Sequence, residues 1–188
     1  MSAPAARVRL FAALELPPEA LAALEAFRDR AADPEVWRPL PGESLHVTLA
    51  FLGHHPEEQI DAIAAAALSR VRGLPPARLE PVAVDPVPPG RPRLLALDDL
   101  DEELGALQDR VSAGLAATGA YAPEVRPFRP HVTVGRLRRG VAAPRVVDVV
   151  PEPVAFHGSA LTLFASRLSP GGARYEALVR MPLAPDLD

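Results

Sequence analysis

The stretch SLHVTLAFLG, residues 44–53, contains a His-Val-Thr tripeptide that returns at residues 131–133 within FRPHVTVGRL. The two histidines stand 131 − 46 = 85 positions apart, and the chain has only five histidines. Both tripeptides lie in short apolar runs that include β-branched residues, which is typical of strands. The repeat therefore predicts two equivalent strands, one in each half of the chain.

Alternation within these two strands predicts a groove lined by polar side chains. Side chains i and i+2 of a strand point to the same face, so His46 and Thr48 project together while Val47 projects the other way. His131 and Thr133 repeat this arrangement. If the strands lie side by side about a pseudo-twofold axis, the apolar faces pack under helices. The groove then holds two imidazoles and two hydroxyls.

The rest of the chain predicts an α+β protein. Apolar residues recur at helical spacing over residues 17–31, 56–71 and 100–115, which predicts three helices, the third capped by Asp98 or Asp99. The order of the elements is consistent with an internal duplication. Strands are expected at residues 7–14, 36–40, 46–52, 78–84, 93–97, 131–137, 153–166 and 173–181, and an irregular segment at 138–152.

The composition excludes several classes of site. With no cysteine, the chain has no disulfide, no thiolate nucleophile and no cysteine-based zinc site. No apolar run approaches the roughly 18–20 residues needed to cross a bilayer. The N-terminal apolar run is short and predicts a strand rather than a secretory signal, so we expect a cytoplasmic protein without membrane association.

The charge is acidic overall but locally basic. The net charge of −4 argues against indiscriminate binding to nucleic acid, which needs a broad cationic face. Residues 126–145, however, contain six arginines and no acidic residue. Such a patch suits a small anionic substrate or one end of an RNA better than a long duplex. A solvated basic loop is the alternative interpretation.

Paired histidines and threonines favour one reaction class. The unperturbed imidazole pKa lies near 6.5, so one histidine can be neutral while its partner is protonated. The neutral histidine can take a proton from water, and the protonated one can supply a proton to a leaving alkoxide. The threonine hydroxyls can donate to the non-bridging oxygens of a phosphate. Residues alone do not decide which histidine is the donor.

The two motifs, HVTL and HVTV, resemble the H-x-T-x signature of the 2H phosphoesterases. RLFAALELP at residues 9–17, both motif stretches and LTLFASRLSPGGARYEAL near the end resemble the LigT-like branch, the RNA 2′,3′-cyclic phosphodiesterases. The likeness covers about residues 7–181. It implies two similar lobes of antiparallel strands and helices around a central groove, as a single bilobal domain over residues 1–188.

The resemblance also implies roles and partners. His46 is expected to protonate the leaving ribose oxygen and His131 to activate water, with neither a cofactor nor a metal. The expected substrate is an RNA end with a 2′,3′-cyclic phosphate, tRNA fragments included, and the expected product carries a 2′-phosphate. Some members of the branch also join RNA through a 2′–5′ linkage. We expect a monomer.

Further residues are candidates for substrate binding. Arg129 precedes His131 by two positions, and the resemblance places it near the phosphate, where a guanidinium donates well; a surface ion pair is the alternative. Phe11 and Tyr175 are candidates for stacking on a base or ribose, although Phe11 lies in an apolar run typical of a core. His54 and His55 are expected in a helix-entry loop.

Two other function classes remain open on the sequence. A related enzyme could act on a cyclic nucleotide or on a cyclic phosphate of ADP-ribose. Alternatively, the chain could be an RNA-end binding module without turnover, although both histidines and both threonines are present. A histidine-based metal hydrolase is disfavoured because no carboxylate is placed near either motif.

Overall fold

The structure, a computed structural model, describes residues 6–88, 91–99, 102–152, 155–169 and 172–183. The strands are β1 (Arg7–Glu15), β2 (Trp37–Pro39), β3 (His46–Pro56), β4 (Arg78–Leu79), β5 (Pro81–Val87), β6 (Leu94–Asp99), β7 (His131–Leu137), β8 (Phe156–His157), β9 (Ala160–Ser169) and β10 (Gly172–Pro182). The helices are α1 (Pro18–Ala31), α2 (Ile60–Ser69) and α3 (Glu102–Ala116), and short 3₁₀ turns precede β3 and α2. The α+β prediction is confirmed.

The main sheet has the strand order β10-β9-β1-β3-β7-β6-β5, with β2 also beside β7. All of these pairings are antiparallel. We call β10, β9, β1 and β3 the first half-sheet, and β7, β6, β5 and β2 the second half-sheet. The pair Val47–Val132 joins β3 to β7, and this contact is called the seam. β4 and β8 form a separate two-stranded sheet.

The helices cover the apolar face that the alternation predicted. α3 packs against β3, α2 against α3 and β9, and α1 against β7. Val47, Leu49, Val132 and Val134 are buried beneath them. The His–Thr faces of β3 and β7 are therefore left on the other side of the sheet. Among the described residues, no helix has the length and apolar character required to span a membrane.

Two predicted boundaries were wrong for local reasons. β3 does not end at Gly53, which has φ 77° but lies inside a strand that continues to Pro56; the predicted helix-entry loop for His54 and His55 is therefore strand. Asp98 and Asp99 belong to β6 and do not cap α3, which begins at Glu102. Residues 100 and 101, where that helix was expected to start, lie outside the described residues.

The half-sheets do not coincide with the two halves of the sequence. β9 and β10, from the end of the chain, pair with β1 and complete the half-sheet that holds the first motif. The seam does place the two motif strands side by side, as predicted. The pseudo-twofold relation between the lobes stays a prediction.

A pair of glycines in α3 tests the packing of α3 on α2. A Cβ on Gly114 would lie 2.3 Å from the backbone oxygen of Ala66, whereas a Cβ on Gly105 would meet nothing within 4 Å. Gly114→Ala should destabilise the protein by about 1–3 kcal/mol because it overpacks this contact. Gly105→Ala should be neutral or stabilising by up to about 1 kcal/mol, since alanine favours the helix.

Urea unfolding of both variants measures the difference. Equal stabilities for Gly114→Ala and Gly105→Ala would contradict the close approach of α2 and α3.

Candidate active site

The two His-Val-Thr motifs meet at the seam. Because Val47 pairs with Val132 in antiparallel register, His46 lies across from Thr133 and Thr48 across from His131. Opposite side chains of such a pair have Cβ atoms about 4.5–5.5 Å apart, and diagonal neighbours such as the two histidines lie about 7–8 Å apart. All four are half-buried and lie on the face opposite the buried valines. The register thus assembles both imidazoles and both hydroxyls in one patch.

Backbone carbonyls orient both rings. Nδ1 of His131 donates to the carbonyl oxygen of Arg129 at 2.8 Å, which leaves Nε2 without its proton in the neutral ring. Nε2 of His46 lies 3.1 Å from Oγ1 of Thr48, and the backbone of Ser44 hydrogen-bonds the same ring. In both motifs the residue two positions earlier therefore holds the imidazole, and Nε2 of His46 lies against the hydroxyl of its own motif's threonine.

Aromatic rings surround His46. Its ring centroid lies 5.1 Å from that of Phe11, 5.3 Å from that of Tyr175 and 6.1 Å from that of Phe164. These rings come from β1, β10 and β9, so all three neighbouring strands of the first half-sheet contribute. Ala13, opposite Thr48 on β1, is small enough to leave room for the imidazole.

This surrounding lowers the pKa of His46 to about 4. The main cause is burial, because an imidazolium loses its hydration among apolar rings. The positive charges of His131 and Arg136 lower the pKa further, whereas the hydrogen bond to the backbone of Ser44 raises it. In the free protein at neutral pH, His46 is therefore a neutral imidazole.

Arg136 reaches the site although alternation would not place it there. Ala96 pairs with Thr133, but Leu95 pairs with Gly135, so β7 carries one extra residue at this point. Such a bulge shifts the alternation and brings Arg136 to the face of Thr133. Its guanidinium donates to the hydroxyl of Tyr175 at 3.4 Å, linking the second half-sheet to the first. The arginine-rich segment 126–145 was a signal for this residue, but it did not single it out.

The guanidinium of Arg129 is engaged in an ion pair in this structure. It lies 3.4 Å from a carboxylate oxygen of Asp85 on β5, and both side chains are exposed. The structure thus contains the surface ion pair that was the alternative for this residue. The carbonyl of Arg129 is its direct contact with His131.

The candidate stacking residues differ in exposure. Phe11 is only 3% exposed and packs beneath His46, which agrees with its position in an apolar run. Tyr175 is half-buried. Phe51, which the sequence interpretation missed, is 55% exposed, with its ring centroid 6.2 Å from that of Phe11. A register slip in β3, where Ala13 pairs with Thr48 but Ala12 with Ala50, turns Phe51 to the groove face.

The other histidines and the tryptophan lie outside the histidine pair. His55 bonds the carbonyl oxygen of Leu52 at 2.9 Å, and His157 is exposed on β8. Trp37 is 1% exposed and belongs to the core. In the part of the chain that the structure describes, no group of three or more histidine, aspartate or glutamate side chains is arranged to hold a metal ion.

Comparison with known proteins agrees with this arrangement. An RNA 2′,3′-cyclic phosphodiesterase of Thermus thermophilus is 32% identical over 183 residues, which cover 94% of this chain and 90% of that protein. A crystal structure from the same organism has a TM-score of 0.82 at 30% identity, covering 95% of this chain and 99% of that one. Escherichia coli LigT complexed with 3′-AMP has a TM-score of 0.73 at 28% identity, with coverages of 95% and 99%.

The family assignment follows from a match along most of the chain. Residues 16–169, which include both motifs and the seam between them, match the family described as the 2′-5′ RNA ligase superfamily. The chain therefore belongs to the 2′-5′ RNA ligase superfamily.

Proposed function

We propose that this protein is an RNA 2′,3′-cyclic phosphodiesterase that opens a terminal cyclic phosphate to a 2′-phosphate. The observation that carries the proposal is the seam, which brings the two His–Thr pairs together on one face of the sheet. The Thermus relative with this activity supports the choice of substrate. So does the 3′-AMP in the structure of Escherichia coli LigT, since 3′-AMP is also a ribonucleotide with a phosphate on its ribose.

The reaction needs two proton transfers, which the two histidines supply. Nε2 of His131 accepts a proton from water as the water oxygen bonds to phosphorus. The bond from phosphorus to the 3′ oxygen breaks, and His46 gives its proton to that oxygen. The phosphate remains on the 2′ oxygen, and exchange with solvent restores both histidines. This assignment of donor and acceptor follows the family resemblance.

The low pKa of His46 makes its donor role depend on the substrate. In the free site the imidazole is neutral, so it cannot donate from Nε2. A bound phosphate places negative charge beside the ring, and opposite charge favours the imidazolium. Substrate binding therefore loads His46 with the proton that the leaving oxygen requires. A strongly acidic imidazolium is also an efficient donor once formed.

The remaining groups bind the phosphate. The hydroxyls of Thr48 and Thr133 donate to its non-bridging oxygens, where negative charge accumulates in the transition state. Arg136 supplies a guanidinium whose charge already acts on His46 in the free site. Arg129 contributes its carbonyl to His131, and its guanidinium reaches the phosphate when the pair with Asp85 opens.

The aromatic residues suit the nucleoside. Tyr175 and the exposed Phe51 flank the site from two strands, and every base can stack on such rings. Phe11 supports the His46 ring from below. We further propose that tRNA fragments are among the substrates, that joining through a 2′–5′ linkage uses the same groove, and that residues 1–188 act as one cytoplasmic, monomeric bilobal domain.

The direct test uses a short oligonucleotide ending in a 2′,3′-cyclic phosphate, in the presence of excess chelator. The product should be heavier by one water and should lose its phosphate to phosphatase, with the position on the 2′ oxygen shown by phosphorus NMR. His46→Ala and His131→Ala should each reduce turnover by about 10²–10⁴-fold. His157→Ala, an exposed histidine on β8, should have no effect.

Other outcomes distinguish the alternatives. Binding without turnover would identify an RNA-end binding module, and turnover of cyclic mononucleotides or ADP-ribose cyclic phosphate alone would identify a different substrate. Complete loss of activity to chelator would contradict the two-histidine mechanism.

A second prediction concerns the titration of His46. In the free protein its ring should titrate with a pKa of about 4, and saturating inorganic phosphate should raise this pKa. The pH dependence of kcat/KM reports the free enzyme. Its acid limb should lie near pH 4, because at lower pH both histidines carry a proton and neither can act as the base. The acid limb of kcat should lie at higher pH, because the bound phosphate favours the imidazolium. NMR of the imidazole protons and the two pH profiles measure these shifts.

The pH prediction fails if His46 titrates near the unperturbed value of about 6.5 in the free protein. It also fails if the acid limbs of kcat and kcat/KM coincide.

A third prediction separates the two arginines. Arg136→Gln should raise the pKa of His46 in the free protein, since a like charge is removed, and should lower kcat/KM by about 10- to 150-fold through loss of a charged hydrogen bond. Arg138→Gln is the matched control, because this neighbouring guanidinium is exposed and bonds the carbonyl of Pro34. If Arg129→Gln lowered kcat/KM more than Arg136→Gln does, Arg129 and not Arg136 would be the main arginine that binds the phosphate.

A further inference from the structure

The groove face of the first half-sheet continues beyond the aromatic rings into a set of cations. β1 is regular along its pairing with β9, so Arg7 and Arg9 lie on the same face as Phe11. Arg9 pairs with His54 on β3 and with Ser166 on β9. The arginines are exposed, as is His54, while Ser166 is half-buried.

These residues line an open concavity at the surface. Its volume is about 310 Å³, and it is lined by Arg7, Val8, Arg9, His54, Ser166 and Arg167. Of these side chains, all but Val8 can donate a hydrogen bond. No acidic residue is among them. A concavity of this composition fits a phosphate group.

Two of the three arginines that line the concavity, Arg7 and Arg9, have no carboxylate partner within the described residues. The third, Arg167, pairs with Glu176 at 3.0 Å. Several arginines elsewhere in the described residues also pair with a carboxylate. Among the residues that the structure describes, no carboxylate lies within ion-pair distance of Arg7 or Arg9. Arg7 instead donates to the backbone carbonyl of His54. Arg7 and Arg9 thus lie two residues apart on one face of β1 and both line the concavity, with hydrogen-bond donors for a ligand.

The order of the groups along this face, followed outward from the histidine pair, matches the order of the groups in a nucleotide. Two residues of a strand span about 6.6–6.8 Å, so Arg9 follows Phe11 by this distance and Arg7 follows by twice it. Phe11 lies directly against His46. From the cyclic phosphate outward, the face therefore presents the histidines, then aromatic rings, then guanidiniums. A nucleotide presents its groups in the same order, as terminal phosphate, base with ribose, and 5′ phosphodiester.

We propose that Arg9, Arg7 and His54 form a binding site for the phosphodiester on the 5′ side of the terminal nucleotide. The proposal rests on the proposed function, and it narrows the substrate from any 2′,3′-cyclic phosphate to one at the end of an oligonucleotide chain. A cyclic mononucleotide occupies only the histidines and the rings. An oligonucleotide gains the contacts to the guanidiniums as well.

The test compares two substrates in three proteins. The substrates are a trinucleotide with a 2′,3′-cyclic phosphate and cytidine 2′,3′-cyclic monophosphate. The proteins are the wild type, the double variant Arg7→Gln/Arg9→Gln, and Arg110→Gln, which removes one exposed charge from α3 on the opposite side of the sheet. Thermal unfolding of each variant checks that the fold is retained.

The double variant should lose tenfold or more in kcat/KM on the trinucleotide and should keep wild-type kcat/KM on the mononucleotide. The slope of log kcat/KM against log salt concentration for the trinucleotide should become shallower by about 0.7 per lost phosphate contact. A fourth protein, Arg9→Lys, keeps the charge and should therefore retain much of the wild-type kcat/KM on the trinucleotide. Arg110→Gln should match the wild type on both substrates.

Equal losses on both substrates, or no loss on either, would overturn this site while leaving the phosphodiesterase function intact. If the wild type hydrolyses neither substrate, the proposed function fails instead. Binding of a trinucleotide ending in a 2′-phosphate then still tests the site. It should weaken in Arg7→Gln/Arg9→Gln and not in Arg110→Gln, and unchanged binding would refute it.

Discussion

Two antiparallel strands that meet at the pair Val47–Val132 hold this site together. Each valine is buried beneath the helices, and burying such a side chain contributes about 1.5–3 kcal/mol relative to leaving it exposed. A shift of one residue in this register would turn the valine of the shifted strand to the groove and its histidine to the core, and would separate the two His–Thr pairs. The packing of two apolar side chains thus determines where the two imidazoles and the two hydroxyls lie.

The residues that could be predicted from the sequence are those that depend on local alternation alone. His46 with Thr48, and His131 with Thr133, share a face in any regular strand, and the repeated tripeptide marked both strands. Arg136 and Phe51 could not be placed in this way, because each lies beyond a register slip. A slip depends on the partner strand, which the local pattern does not contain. The boundary at Asp98 and Asp99 failed for a related reason, since pairing with β5 extends β6 through two residues that would otherwise favour a helix cap.

The electrostatic character of the site is also a tertiary property. The first motif is locally similar to the second, yet only His46 lies among Phe11, Phe164 and Tyr175. Those rings come from strands that lie far from His46 in the sequence. The apolar rings disfavour the charged form of His46 until an anion is bound. The two copies of one tripeptide therefore stand in chemically different surroundings. A histidine whose pKa is strongly shifted by burial and by neighbouring charges is typical of a functional site.

The pairing of β9 and β10 with β1 has a consequence for how the protein forms. The second half-sheet uses only segments between residues 37 and 137, whereas the first half-sheet joins the beginning of the chain to its end. During synthesis, the edge of β1 that does not pair with β3 therefore stays uncovered until β9 has been made. Contacts between such distant segments slow folding, and the ring of Tyr175 is among the last parts to arrive. A nascent chain holds both histidines before it holds Phe164 and Tyr175, so the different surroundings of the two imidazoles are acquired only once β9 and β10 have been made.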